Sequence, residues 1–303
     1  MTTAIDVRNL EKTYGDTRAV SGIDLQVRQG EIFALLGPNG AGKTTTVEIL
    51  EGYRQPTTGE VEVLGFDPTR GDIAFKRRIG IVLQSTGVEP YLSVAETVDL
   101  FRGYFPNPRP LDEIIEIVGL TEKRDERVRR LSGGQQRRLD VAIGLAGDPD
   151  LLFLDEPTTG FDPTARRNAW DMVRNLKELG KTVFLTTHYM DEAQNLADRV
   201  AIMVGGCIVA EGAPSELSPR ANESTITATI LPDAGPLPER FASLGSVEDG
   251  RLRVVTTNPE KVLHDLTGWA LETDVQLMDL KVGGATLEDT YLELTAAAER
   301  EEA

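Results

Sequence analysis

Eight residues near the start of the chain hold the densest chemistry: Gly37-Pro38-Asn39-Gly40-Ala41-Gly42-Lys43-Thr44. They fit the spacing G-x-x-x-x-G-K-[ST]. In that pattern glycines let the backbone fold so tightly that successive N–H groups point at the oxygens of one phosphate chain. Lys43 can reach the outer phosphates, and the Thr44 hydroxyl is a ligand for Mg2+. The apolar run Ile32–Leu36 comes directly before, and a helix-compatible stretch, Thr45–Leu50, directly after. This order predicts a strand, a cradle and a helix whose positive end faces the anion.

A second group lies far downstream, where Leu151-Leu152-Phe153-Leu154 leads into Asp155 and Glu156. Carboxylates at the tip of a buried strand are costly unless something employs them. Alone, the pattern suits a helix cap better. Beside a phosphate cradle it reads as Asp155 holding Mg2+ through water and Glu156 polarising the water that attacks a γ-phosphate. A third segment is Leu131-Ser132-Gly133-Gly134-Gln135-Gln136-Arg137-Arg138. Ser132 is a helix N-cap, and Gly133-Gly134 leave the helix N–H groups bare, which presents a second anion site. Two phosphate-binding surfaces far apart in one chain invite two copies to sandwich the ligand.

The third segment resembles the signature sequence of ABC ATPases, and the resemblance covers residues 4–220. It implies ATP with Mg2+ bound between the phosphate loop of one subunit, Gly37 to Thr45, and the signature of its twin, Ser132, Gly133, Gly134 and Gln135. Ser132, Gly134 and Gln135 would touch the γ-phosphate held by the partner, and a twofold dimer makes both sites equivalent. Gln84 resembles the Q-loop glutamine, a Mg2+ ligand that senses the membrane partner. Thr159-Gly160-Phe161-Asp162 is similar to the D-loop, with Phe161 where leucine is usual. His188 resembles the switch histidine that contacts the γ-phosphate. Tyr14 resembles the aromatic that stacks on adenine. His264 reads as structural.

The elements that must position these residues are legible in outline. Ile32–Leu36, Ile79–Leu83, Leu151–Leu154 and Val183–Thr186 are short apolar runs without alternation, as in parallel strands buried on both faces. Ile5–Leu10 and Ile23–Val27 alternate, which predicts an antiparallel layer with one wet face. Val200–Val204, Gly205-Gly206 and Cys207–Ala210 predict a hairpin, and Glu211–Ser224 a linker. The expected fold is α/β: a P-loop NTPase domain over 1–220, with a mostly parallel core sheet, an antiparallel layer and a helical subdomain. A small α+β domain over 221–303 follows. There Ser224–Ile230, Arg251–Thr256 and Val275–Lys281 read as strands, and Pro236–Leu244 and Pro259–Leu271 as helices, in a βαββαβ order. A last helix, Leu287–Ala298, follows a Thr286 cap.

Composition narrows the partners. The chain has 303 residues and a net charge of −17. Sixteen acidic and six basic side chains fall in residues 221–303. Such a surface repels phosphate backbones, so nucleic acid is not an expected partner. The single cysteine, Cys207, excludes an internal disulfide and reads as a small buried hydrophobe. The first residues do not read as a signal peptide, and no window is apolar enough for a spanning helix. A membrane passage must then come from a separate permease, with this chain on the cytoplasmic face of the cell membrane.

Residues 85–130 would form the helical subdomain that meets the permease. In Tyr91-Leu92-Ser93-Val94-Ala95-Glu96-Thr97, Ser93 and Glu96 also predict a capping box. Glu51-Gly52-Tyr53, Pro56-Thr57-Thr58-Gly59 and Thr286–Leu292 resemble exporter subunits of the daunorubicin-resistance type. An importer ATPase and an ABC ATPase that never meets a membrane stay open as alternatives, as does a heterodimer with a similar subunit. The small C-terminal domain reads equally as a dimer-stabilising or regulatory module and as a passive appendage.

Overall fold

The alternation near the N-terminus becomes two long strands, β1 (Thr3–Tyr14) and β2 (Thr17–Arg28), paired antiparallel. Ile5, Val7 and Leu10 of β1 and Ile23, Leu25 and Val27 of β2 are buried, while the intervening Asp24, Gln26 and Arg28 face solvent. A third strand, β4 (Thr58–Val63), adds to the other edge of β1 and completes this layer. The computed structural model describes residues 2–83, 87–217, 224–230, 245–248, 250–273 and 275–284, with Phe241 and Tyr291. The chain divides into two compact units, Met1–Pro214 and Ser215–Ala297.

The core of the first unit is a six-stranded sheet. Its strands are β3 (Ile32–Leu36), β5 (Ile79–Val82), β6 (Leu151–Asp155), β7 (Thr182–Thr187), β8 (Arg199–Val204) and β9 (Cys207–Gly212), in the order β5-β6-β7-β3-β8-β9. All pairings are parallel except β8 with β9. Every residue of β3 and β7 is buried, which is why their sequences run apolar without alternation. Phe184 stacks on Phe33 at 5.6 Å and packs against Phe153 at 5.7 Å, locking three neighbouring strands. Each such ring contributes about 1.5–3 kcal/mol by leaving water.

Helices flank the sheet: α1 (Lys43–Leu50), α2 (Ile73–Lys76), α6 (Pro163–Glu178) and α7 (Met190–Leu196). On α6, Ala169, Met172, Val173 and Leu176 make one buried stripe at helical spacing. Three more helices, α3 (Val94–Arg102), α4 (Leu111–Ile117) and α5 (Gly133–Leu145), pack on one another between β5 and β6. The expected capping box opens α3: the Glu96 N–H donates to Ser93 Oγ at 3.2 Å, and the Ser93 N–H to Glu96 Oε2 at 2.8 Å.

Two expectations need correction. Cys207 is exposed, not buried. It begins β9, the outer strand of the expected hairpin, where residues at the sheet edge alternate between exposed and half-buried. β5 ends at Val82, and Leu83 is exposed.

In the second unit β10 (Ser224–Ile230), β11 (Gly245–Glu248), β12 (Arg251–Thr256) and β13 (Leu277–Gly284) form an antiparallel sheet ordered β11-β12-β10-β13. Helix α8 (Pro259–Glu272) turns Val262, Leu266, Trp269 and Ala270 onto Ile226, Leu252 and Val254. β11 was not among the named expectations. Apart from Phe241 and Tyr291, the expected helices Pro236–Leu244 and Leu287–Ala298 lie outside the described residues, as does the Thr286 cap.

Candidate active site

Parallel pairing puts the C-terminal ends of β3, β6 and β7 side by side. Leu36 is in register with Thr187, and Asp155 with Thr186. The segments that leave these ends are Gly37 onward, Glu156 onward and His188 onward. Three pieces of chain distant in sequence therefore converge at one edge, the usual place for a ligand in such sheets.

The Gly37–Gly42 turn is built against the backbone of its neighbours. A Cβ on Gly37 would lie 2.3 Å from the Met203 carbonyl oxygen of β8. Gly42, the N-cap of α1, has φ of 102°, and a Cβ there would lie 2.3 Å from the Ala19 carbonyl oxygen of β2. Only glycine suits both demands at Gly42. No side chain caps α1, so its first-turn N–H groups have no side-chain acceptor of their own. Asn39 and Gly40 at the tip are exposed, as is Thr44. Pro38 and Thr45 are half-buried and Ala41 is buried.

Lys43 is 6% exposed, and its Nζ donates to the carbonyls of Gly37 at 2.8 Å and Pro38 at 3.0 Å. Burial pushes its pKa down, against the attraction of Glu156 and Asp155. Carbonyl dipoles are weaker partners for an ammonium than anionic oxygens, so a phosphate is a better acceptor than the loop itself.

Asp155 closes β6, and its Oδ1 accepts from Thr186 Oγ1. Glu156 sits at φ of 45°, a strained conformation for a residue with a side chain. Its N–H is held by the Thr186 carbonyl at 3.1 Å and Thr186 Oγ1 at 3.2 Å. Its carboxylate is fixed at both oxygens: Oε1 lies 2.9 Å from His188 Nδ1, and Oε2 accepts from Thr159 Oγ1 at 3.1 Å. Burial pushes the carboxyl up. The hydrogen bonds from His188 and Thr159 and the attraction of His188 and Lys43 outweigh it, so the group rests below the usual carboxylate range. An ionised, doubly held carboxylate beside an anion cradle can orient a water molecule and take its proton.

The other sequence-predicted residues are placed less centrally. Ser132 caps α5 with a capping box: its Oγ accepts from the Gln135 N–H at 3.4 Å, and Gln135 Oε1 accepts from the Ser132 N–H at 3.0 Å. Ser132 and Gly133 are exposed. A cavity of 760 Å³ is lined by Ser132, Gly133 and Gly134 together with Glu156, Thr159 and Asp162, and by no residue of the Gly37–Thr44 turn. Asp162 uses its carboxylate to cap α6, accepting from the N–H groups of Thr164 and Ala165 at 2.8 and 3.0 Å. Tyr14, 40% exposed, ends β1 beneath two cations, with Lys12 Nζ 5.0 Å and the Arg54 guanidinium 5.5 Å from its ring. Gln84 lies outside the described residues.

Thr186 was not anticipated. Its signal was a hydroxyl on a fully buried strand, directly after the apolar run Val183–Leu185. Thr159 stood in a recognised segment without a role of its own.

Residues 20–159 match the family model described as ABC transporter, and residues 225–286 one described as ABC transporter domain-containing protein-like, C-terminal domain. Daunorubicin resistance ATP-binding protein DrrA3 of Streptomyces coeruleorubidus is 38% identical, over 97% of this chain and 96% of the relative. Nod factor export ATP-binding protein I of Burkholderia lata is 38% identical, over 96% of each. A solved dimeric ATP-binding cassette in a post-hydrolysis state, bound to ADP and Pi, is 27% identical with a TM-score of 0.61, over 69% of this chain and 98% of that one. Identity sustained across nearly the full length of both relatives makes this protein a member of the ABC transporter family of ATP-binding subunits, an ATPase that couples hydrolysis to transport.

Proposed function

We propose that this chain is the ATP-hydrolysing subunit of an exporter, in which two copies close around two ATP–Mg2+ and drive a separate transmembrane permease. The observation that carries this reading is the Glu156 carboxylate, ionised and fixed by His188 and Thr159 at the strand end beside the cradle.

The phosphates of ATP lie along the backbone N–H groups of Gly37 to Thr45, on the N-terminal end of α1. Lys43 exchanges its two carbonyl partners for the outer phosphate oxygens. Tyr14 offers its ring to adenine. A hydroxyl from Thr44 and a carboxylate from Asp155, acting through water, suit Mg2+, which takes few protein ligands beside phosphates and water. Gln84 would join them. The ion supplies neutralisation of the phosphate charge.

Glu156 orients the attacking water and accepts its proton as the oxygen bonds to the γ-phosphorus and ADP leaves. His188 positions the γ-phosphate. Ser132, Gly134 and Gln135 of the twin close over that phosphate, with Gly133 giving the close backbone approach. Because Gln135 Oε1 is engaged at the cap, its Nε2 is the donor to phosphate. Asp162 lies at the seam between the copies. Closure is a rigid-body movement passed to the permease through the region around α3.

Residues 1–220 act as the engine, and residues 221–303 as an accessory domain. The engine works at the cytoplasmic face of the membrane through its permease, and among the described residues no helix is long and apolar enough to cross a membrane. The cargo is drug-like or lipid-like; the daunorubicin resistance named for one relative favours the first, and the export named for the other favours the direction. Glu156→Gln tests the reading. The variant should bind ATP, nearly cease turnover and run as a stable dimer in ATP and Mg2+. Turnover at the native rate would remove Glu156 from its role.

A further inference from the structure

A buried guanidinium sits just past the first turn of α5. Arg137 is 7% exposed. Its Nη2 donates to the Asp155 carbonyl at 2.6 Å, its Nε to the Pro157 carbonyl at 3.4 Å, and its Nη1 to the Leu83 carbonyl. The Asp140 carboxylate lies 3.9 Å away. Burial pushes the Arg137 pKa down, and Asp140, Asp155 and Glu192 pull it back up.

Burying a cation among backbone carbonyls is costly, and an apolar side chain of similar volume would pack a helix against a sheet at less cost. The identity of the acceptors is therefore informative. Asp155 and Pro157 stand on either side of Glu156, whose own backbone is strained. Leu83 is the residue before Gln84 in the sequence. One side chain thus grips the main chain on both sides of the hydrolytic carboxylate and at the exit of β5. About one turn back on the same helix is its N-cap, Ser132, with its capping box.

We infer that Arg137 is a positioning residue that ties the Ser132–Gly134 end of α5 to the geometry of Glu156 in the same chain. The inference rests on the proposed reading, in which that end receives the nucleotide held by the twin. A nucleotide bound by one copy then sets the hydrolytic carboxylate of the other. Arginine suits the task because its planar fork reaches three carbonyls in diverging directions. A lysine ammonium on its single stem cannot match that set.

The first test is Arg137→Lys in the full chain. The turnover number should fall about 10- to 100-fold, the loss expected when a reacting group is displaced by a fraction of an ångström to one ångström. KM for ATP and the melting temperature should stay near native. Parallel losses in KM, turnover and melting temperature would mark Arg137 as a packing residue and overturn the inference. If the lysine variant melts early, Arg137→Gln, whose amide still donates to carbonyls, takes its place.

The second test uses mixed dimers assembled from two differently tagged copies, scored by ADP formed in a single turnover of bound ATP. With Arg137→Lys and Glu156→Gln on one copy and a native partner, the native copy should still hydrolyse its own ATP, giving about one ADP per dimer. With the two changes on opposite copies, both sites should fail in the same time window. Equal yields or the reverse order would overturn the inference. Native turnover by the Glu156→Gln homodimer would instead break the functional reading on which it rests.

Discussion

Thr159→Val isolates one of the bonds that keep Glu156 ionised. The side chains are nearly isosteric, so the change removes the 3.1 Å donation from Thr159 Oγ1 to Glu156 Oε2 with little disturbance of packing. A hydrogen bond to a charged acceptor is worth about 1.5–3 kcal/mol when nothing replaces it. Thr159 is exposed, so water recovers part of that and leaves about 1 kcal/mol, or about 0.7 of a pKa unit. The bond favours the charged carboxylate, so its loss raises the pKa of Glu156. A base is lost as pH falls through its pKa, so the acid limb of the profile must move toward neutral pH. The assay is phosphate release across about pH 3.5 to 7, the range in which a carboxylate at or below its usual pKa titrates, analysed as kcat/KM, which reports the free enzyme. The limb should shift upward by about 0.5–1 unit, while the plateau changes less than about threefold. An unmoved limb, or one displaced to lower pH, would refute the assignment of Glu156 as a base tuned by its hydrogen bonds.

Glu51→Gln should act on stability rather than turnover. Glu51 is 6% exposed at the end of α1, and burial, with Asp155 and Glu48 nearby, pushes its carboxyl up to about 8. The folded state keeps a proton that the unfolded chain releases, so native stability falls as pH rises from the ordinary carboxylate range to about 8. The glutamine variant should melt with the native protein near about pH 5 and well above it beyond about pH 8. A constant difference in melting temperature would contradict this. Gly37→Ala forces a Cβ to within 2.3 Å of the Met203 carbonyl oxygen, and should cost about 1–3 kcal/mol of stability and weaken ATP binding in a nucleotide titration. Native melting and native affinity would show that the turn is not packed on β8 in this way.

Much of this site was visible in the chain because its chemistry and its framework coincide in short segments. β3 falls on Ile32–Leu36 as read, since a strand buried on both faces leaves no room for alternation. The Ser93–Glu96 box and the Ser132 cap were legible because a cap is local, set by residues three apart. Cys207 was misread because a continuous apolar run conceals the step from a central strand to an edge strand, which depends on which strand pairs where. Bonds between distant segments were also hidden. Nothing local announces that Thr186 serves both Asp155 and Glu156, or that Thr159 reaches back to Glu156. Of two adjacent arginines, helical phase buries Arg137 and turns Arg138 toward the Gly119 carbonyl. β11 holds one large apolar residue, Val247, among its four, whereas the equally short β5 holds three, so only β5 stood out.

The β8–β9 hairpin touches the phosphate turn from behind: the Gly206 N–H donates to the Ala41 carbonyl at 3.1 Å, and the Gly206 carbonyl accepts from the Ser21 N–H at 2.9 Å. The next residue is Cys207, the chain's sole thiol, and it is open to reagents. The unaltered protein therefore carries its own labelling handle. A maleimide fluorophore or spin probe attached there sits next to Gly206, which bonds Ala41 of the proposed phosphate cradle, so nucleotide loading and release can be sought optically or magnetically without engineering a cysteine or deleting others.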